Sequence, residues 1–233
     1  SRLSALGDVV CTLPVASALK KIDPDAHIVW VIDPRFEAVL NCAPLVDERI
    51  VVKPGFSPKK WPKIEGEFDA AFDMQGLLKS AVVLRNLNCP KFGFHWQREG
   101  AGFFSRKVLP DPTSFHVVDQ YVDVVRAFGG PDLHEAEFAL KAPDSAKESI
   151  RAKLLNLGVS GKYAVLNPGA GWATKRWPVQ YFAEVAKWLG AKGISSVLIG
   201  GRKEAEQEPA REVIALAGES AVSLAGQTSI EEL

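Results

Sequence analysis

The stretch Tyr163-Ala164-Val165-Leu166-Asn167-Pro168-Gly169-Ala170-Gly171-Trp172-Ala173-Thr174-Lys175-Arg176-Trp177-Pro178 constrains the fold more than any other part of the chain. Tyr163 to Leu166 is an apolar run of strand length and reads as a buried strand. Glycines at 169 and 171 make a loop, and Pro178 suits the first turn of a helix whose apolar stripe is Phe182, Val185, Ala186 and Leu189. Gly190 is a natural stop, and Ile194 to Ile199 resumes a β-branched strand, so the unit is βαβ. Its loop sets backbone N–H groups and two cations, Lys175 and Arg176, beside a positive helix N-terminus, where a phosphate would be held. A tight turn with solvated cations accounts for the same residues. Neither common fingerprint is present: Lys175 is not preceded by the glycine of a Walker loop, and the third glycine of the dinucleotide pattern is missing.

The rest of the chain repeats the alternation. An apolar helical pattern runs through Leu13, Ala16 and Leu19 to Lys20-Lys21. His27 to Ile32 then reads as a strand, Pro34 to Leu40 as a helix and Glu48 to Val52 as a strand. Phe68 to Asp73 reads as a strand, Leu77 to Leu87 as a helix, and His116 opens a helix to Phe128. Such alternation with near-continuous apolar strands predicts an α/β fold with parallel sheets covered by helices. The 233 residues suit two domains. The charged helix from Pro143 to Leu157 reads as the connection, which puts the boundary near Gly158, with domains 1–158 and 159–233.

Lys plus Arg equals Asp plus Glu at 28 each, so no global positive field argues for nucleic acid, and any anion site is local. Cys11, Cys42 and Cys89 stand singly without CxxC spacing, which suggests neither a zinc site nor a disulfide framework and fits a reducing cytosol. No apolar run approaches the roughly 18 residues that span a bilayer, so the expectation is a soluble or peripheral protein. The start at Ser1-Arg2-Leu3 and the stop at Ile230-Glu231-Glu232-Leu233, which reads as a helix opening, suggest a chain cut at both ends.

Ligands on parallel sheets collect at the carboxyl ends of strands, so Asp8 in the Gly7-Asp8 turn would stand at the mouth of a cleft; capping the first turn of its helix explains it equally. The proline-broken loop Lys53 to Lys63 carries Lys59, Lys60 and Lys63, and reads as a solvated loop or as a clamp for an anion. Arg98 lies in a polar interruption, His95 to Gly100, where the core pattern needs none. His116 is a helix-start residue without assigned chemistry. Glu204 faces the carboxyl edge after Gly200-Gly201, although a first-turn acid already suits the helix dipole, and Pro209 would delay or kink that helix. Asp23-Pro24-Asp25 matches a metal-binding DxD but reads as a helix-to-strand turn.

Taken together, Arg2-Leu3-Ser4-Ala5-Leu6-Gly7-Asp8-Val9, Asp73-Met74-Gln75-Gly76-Leu77-Leu78-Lys79-Ser80 and Asn167-Pro168-Gly169-Ala170 leading to Thr174-Lys175-Arg176-Trp177-Pro178 resemble the lipopolysaccharide heptosyltransferases, glycosyltransferase family 9. The resemblance covers nearly the whole chain, and its second segment is more like type I than type II. It implies a GT-B arrangement of two Rossmann-like domains facing a cleft, acceptor on the first and nucleotide sugar on the second, the second domain here incomplete. It implies an inverting transfer of heptose from ADP-heptose to the anionic inner core of lipopolysaccharide, with ADP-heptose as co-substrate, no cofactor and no metal. The place implied is cytoplasmic, with peripheral contact at the inner membrane.

Carried residue by residue, the resemblance makes Asp8 the general base, since a carboxylate takes the acceptor hydroxyl's proton as its oxygen attacks the anomeric carbon. Gly169, Ala170, Thr174 and Lys175 hold the donor's phosphates, and Glu204 meets the ribose. Arg2, Lys59, Lys60, Lys63 and Arg98 meet the acidic acceptor. The family also carries a strand before the position of Arg2 and an Asp-(Ser/Thr)-Gly-x-x-His segment beyond the position of Leu233. A GT-B epimerase, which would lack a use for the basic loop, and a non-catalytic nucleotide-binding module are the rival readings.

Overall fold

Leu3 is fully buried and its neighbours show why: the first three residues run between two strand edges. The Arg2 amide donates to Val31 O at 3.3 Å and the Asp33 amide to Leu3 O at 3.3 Å, while Ser1 N donates to Phe72 O at 2.5 Å and the Met74 amide to Ser1 O at 3.1 Å. The computed structural model in which this is seen describes residues 1–53, 63–130 and 136–233. It divides into two units, Ser1–Lys141 and Ala142–Leu233.

In the first unit β1 (Val29–Ile32) pairs in parallel with β2 (Glu48–Val51), and β3 (Ala71–Asp73), β4 (Lys91–Phe94) and β5 (Arg106–Val108) form a second parallel sheet in that order. Ser1 to Leu3 stitch β1 to β3 at their carboxyl ends. Beyond the stitch, a cavity of about 580 Å³ lies between the two sheets, lined by Trp30 and Val31 on one side and Ala71 and Phe72 on the other. Helices α2 (Pro14–Ile22) and α4 (Val117–Gly129) present Val15, Ala18, Tyr121, Val122 and Val125 to Met74, Phe92 and Phe94. Helix α3 (Leu78–Val83) packs Val82 and Val83 with Leu3, Val31 and Val52.

The helix expected through Leu13 to Lys21 is α2; the stretch ahead of it, read as a Gly7-Asp8 turn, is a helix of its own, α1 (Leu6–Thr12), which ends where Pro14 has no N–H to continue it. The helix expected at Pro34–Leu40 is a short 3₁₀ turn, Glu37–Cys42, and α3 stops at Val83 instead of continuing to Leu87. Strands β4 and β5 went unread because Gly93 interrupts the apolar run of one and Arg106-Lys107 make the other charged. His116 is the N-cap of α4, its Nδ1 accepting the Val118 amide at 3.3 Å.

In the second unit β6 (Tyr163–Leu166), β7 (Ser195–Leu198) and β8 (Ala221–Ser223) are parallel in that order. Helices α6 (Val179–Gly190) and α7 (Glu204–Ala217) bring Ala183, Ala186, Ala210 and Val213 against Leu198 and Ala221. Pro209 sits inside α7 without delaying its start. Helix α5 (Asp144–Asn156) covers the other face, Leu154 packing with Val159, Val197 and Leu224. Lys153 is ion-paired to Glu232 at 2.7 Å. The boundary read at 158/159 therefore moves to 141/142: α5 packs its one buried side chain, Leu154, on the second sheet, not the first. Two other expectations change. β6 is an edge of the described sheet, so Tyr163 and Val165 stay about half exposed rather than buried. Ile230 to Leu233 form a turn rather than a helix opening.

Candidate functional site

Asp8 is the third residue of α1, so its carboxylate reaches back to the helix start. Oδ2 accepts the Ala5 amide at 3.1 Å and is ion-paired to Arg2 Nη2 at 2.9 Å. The capping role open in the sequence is thus present, on one oxygen. Among the described residues Oδ1 has no hydrogen-bond partner, and the Asp8 side chain is 54% exposed, so this oxygen is open to a ligand.

The turn that carries Asp8 is held by the segment after β3. Asp73, fully buried at the end of that strand, accepts the Gln75 and Gly76 amides on Oδ1, both at 3.1 Å. Burial pushes the Asp73 carboxyl up against these hydrogen bonds, which pull it down. The Asx turn aims the Gln75 side chain at the first segment: Oε1 accepts the Leu3 amide at 3.0 Å and Nε2 donates to Ser4 Oγ at 3.2 Å. Lys79, on the first turn of α3, adds its Nζ to the same hydroxyl at 3.3 Å. Gly76 adopts φ +67°, and a Cβ there would lie 2.8 Å from Trp96 O, so only glycine fits. Its carbonyl accepts the Arg98 amide at 2.8 Å, which brings the exposed Arg98 to this turn.

The first unit thus gathers Asp8, Arg2, Ser4, Gln75, Lys79 and Arg98. Lys63 is exposed in the coil before β3 and makes no hydrogen bond or ion pair to this group among the described residues; Lys59 and Lys60 lie outside the described residues. Gln75 and Lys79 were not singled out from sequence as site residues. Their signal was there, in the Asp-x-Gln-Gly-x-x-Lys spacing that follows a strand.

In the second unit the loop after β6 begins with Asn167, whose Oδ1 accepts the Gly169 amide at 3.2 Å. The Ala170 and Gly171 amides have no partner among the described residues. Gly169 and Gly171 are not in the left-handed region, and a Cβ at either would meet nothing closer than 3.6 Å. The turn itself therefore does not demand glycine, unlike the turn at Gly76. Arg176 is used within the loop, its Nε donating to Ala170 O at 3.0 Å. Thr174 and Lys175 are exposed in a single 3₁₀ turn, Ala173–Lys175, and among the described residues Lys175 has no ion-pair partner. Of the two cations, one shapes the loop and the other remains for a ligand. Glu204 opens α7 and is ion-paired to Arg211, which also holds Glu208.

Asp23 Oδ1 accepts the Asp25 amide at 3.0 Å, the Asx turn expected for Asp23-Pro24-Asp25. Among the described residues no group of three His, Cys, Asp or Glu side chains is placed to hold a metal ion, and no helix is long and apolar enough to cross a membrane.

The chain is similar to known proteins over nearly all of its length. A family model described as glycosyltransferase family 9 (heptosyltransferase) matches residues 60–233. Lipopolysaccharide heptosyltransferase 1 of Campylobacter coli is 28% identical, over 100% of this chain and 72% of its own length. Lipopolysaccharide core heptosyltransferase OpsX of Haemophilus influenzae is 24% identical, over 100% of this chain and 68% of its own. A glycosyl transferase family 9 structure from Veillonella parvula superposes with TM-score 0.84 at 22% identity, covering 99% of this chain and 69% of that one. The structure of E. coli heptosyltransferase WaaC with ADP gives 0.72 at 23%, covering 99% and 74%. The fold is that of these transferases, the GT-B type with parallel Rossmann-like sheets.

Proposed function

From the premise that the chain belongs to glycosyltransferase family 9, the heptosyltransferases, we propose that it transfers heptose from ADP-heptose to the inner core of lipopolysaccharide, with inversion. The observation that carries this reading is the presence, on one chain, of a carboxylate with one free oxygen in the first turn of α1 and a glycine loop whose glycines the backbone does not require. A glycine where a Cβ would meet no clash leaves room for a ligand to approach the main chain. The names of the relatives matched over the full chain support the sugar and the acceptor.

Asp8 Oδ1 accepts the proton of the acceptor hydroxyl as that oxygen bonds to the anomeric carbon. The bond from that carbon to the diphosphate breaks as the new one forms, and its electron pair leaves on the β-phosphate oxygen. Lys175 offsets the charge that grows there, with the Ala170 and Gly171 amides as further donors and Thr174 beside them. Glu204 takes the ribose hydroxyls. Arg98, Lys63, Lys59 and Lys60 meet the acidic acceptor. The reading assigns no metal to the step, and it places the protein on the cytoplasmic side of the inner membrane, where such an acceptor is built, in peripheral contact with the bilayer.

The test is transfer itself. The protein is incubated with ADP-heptose and a heptose-free inner-core acceptor, and the product is read by mass spectrometry. One added heptose, dependent on acceptor, is the expected result. Release or isomerisation of the sugar without acceptor would overturn the reading.

A further inference from the structure

Arg2 was grouped from sequence with the residues that meet the acceptor, and its surroundings do not suit that task. A ligand residue keeps donors in reach of solvent; Arg2 is only 7% exposed. Nη1 donates to Met74 O at 2.6 Å and Nη2 to Asp8 Oδ2 at 2.9 Å, while Nε is buried without a partner among the described residues. The guanidinium lies over the Tyr121 ring, 5.5 Å from its centroid. Tyr121 is itself 2% exposed and locked against Phe94, ring centroids 4.5 Å apart. A planar cation on a fixed aromatic face has little freedom left, and its two Nη groups are committed one to Met74 O and one to a single oxygen of Asp8.

We propose that Arg2, seated on the ring of Tyr121, is a positioning residue for Asp8 and not a ligand of the acceptor. This rests on Asp8 being the base. Arg2 and the Ala5 amide both engage Oδ2, so they decide which carboxylate oxygen is left for the acceptor hydroxyl and hold it at one angle. An Asp8 capped by Ala5 alone rotates about its side-chain torsions, and a base displaced by about 1 Å loses on the order of a hundredfold in rate. Tyr121 acts one step further out: it fixes the plane of the guanidinium. The acidic acceptor is left to the cations that are exposed, Arg98 and Lys63 among them.

The two roles separate in kinetics. In the protein with its donor and acceptor, Arg2→Met should lower kcat by about a hundredfold, with the KM and the calorimetric Kd of the acceptor within twofold of wild type. Arg2→Lys, which keeps the charge but not the fork, should recover part of that loss. Tyr121→Leu should lower kcat in the same sense, and its effect should shrink in the Arg2→Met background, since both act through one contact. A rise of tenfold or more in acceptor KM and Kd at unchanged kcat would make Arg2 a ligand and overturn the inference. Full additivity of the Arg2 and Tyr121 changes would remove Tyr121 from it. Circular dichroism melts identify any variant that fails to fold, in which case Arg2→Gln and Arg2→Lys carry the same comparison. A wild-type protein that transfers no heptose at all would defeat the proposed function instead, a result distinct from either.

Discussion

Asp8 does two jobs with two oxygens, and this makes its replacement informative. Asn at position 8 keeps an oxygen that can accept the Ala5 amide, so α1 should stay capped, whereas the base is gone. Asp8→Asn should therefore still fold, with a melting temperature lowered because buried Arg2 loses its charged partner, and lose roughly a thousandfold or more in transfer, with ADP binding by calorimetry unchanged. Lys175→Ala should do the converse to the donor, weakening ADP binding about tenfold, because Arg176, the other cation of the loop, is turned back onto Ala170 O. Gly76→Ala belongs to the same scale. Its Cβ would lie 2.8 Å from the Trp96 carbonyl in a left-handed backbone, at a cost of about 1–3 kcal/mol. The turn that presents Gln75 and Arg98 would shift with it. A lower melting temperature together with raised acceptor KM is the expected pair. Asp8 and Lys175 stand out in the sequence because a motif marks each; the service of Gln75 to Leu3 and Ser4 does not, because those partners lie some seventy residues away.

Among the elements, α5 shows what periodicity reveals and what it conceals. Its extent was evident from capping and charge, but its allegiance was not, since Leu154 finds Val197 and Leu224 and Lys153 finds Glu232 only after the chain has folded. Similarly, β6 was legible as a strand from its apolar run, yet that run gave no sign that two of its residues would be half exposed. The Lys153–Glu232 pair carries a pH signature. Hydrogen bonds from Lys153, Ser149 and the Ser229 amide hold the Glu232 carboxyl down to about 2 from an ordinary 4.5. A lowered carboxylate stabilises the fold above its ordinary pKa, and that stability is lost as pH falls toward the folded value. Lys153 is about a third exposed, so screening leaves roughly 1 kcal/mol. The melting advantage of wild type over Lys153→Met should be full at pH 7 and fade between about pH 4.5 and 2. An advantage that grows on acidification would contradict the assignment.

For the whole molecule, the alternation of strands and helices was enough to reach two parallel α/β units, and the motif set was enough to reach the family. The dividing point was not, because a charged helix between two β/α sets reads as a connector whichever side it packs on. The two choices can be told apart by expression. A fragment 142–233 keeps α5 over Val197 and Leu224, whereas 159–233 strips Leu154 from them, a loss comparable to a core Leu→Ala of about 2–5 kcal/mol. The longer fragment should show a cooperative melt and the shorter a much lower one or none.

The stitch at Ser1 to Leu3 also governs how the molecule is handled at the bench. Ser1 lines the 580 Å³ cavity together with Trp30, Val31, Ala71 and Phe72, so residues placed ahead of Ser1 would meet that apolar seam before they met solvent. An affinity tag joined directly to Ser1 would therefore sit beside two unpaired strand edges, those of β1 and β3, and its first residues should be chosen for that neighbourhood.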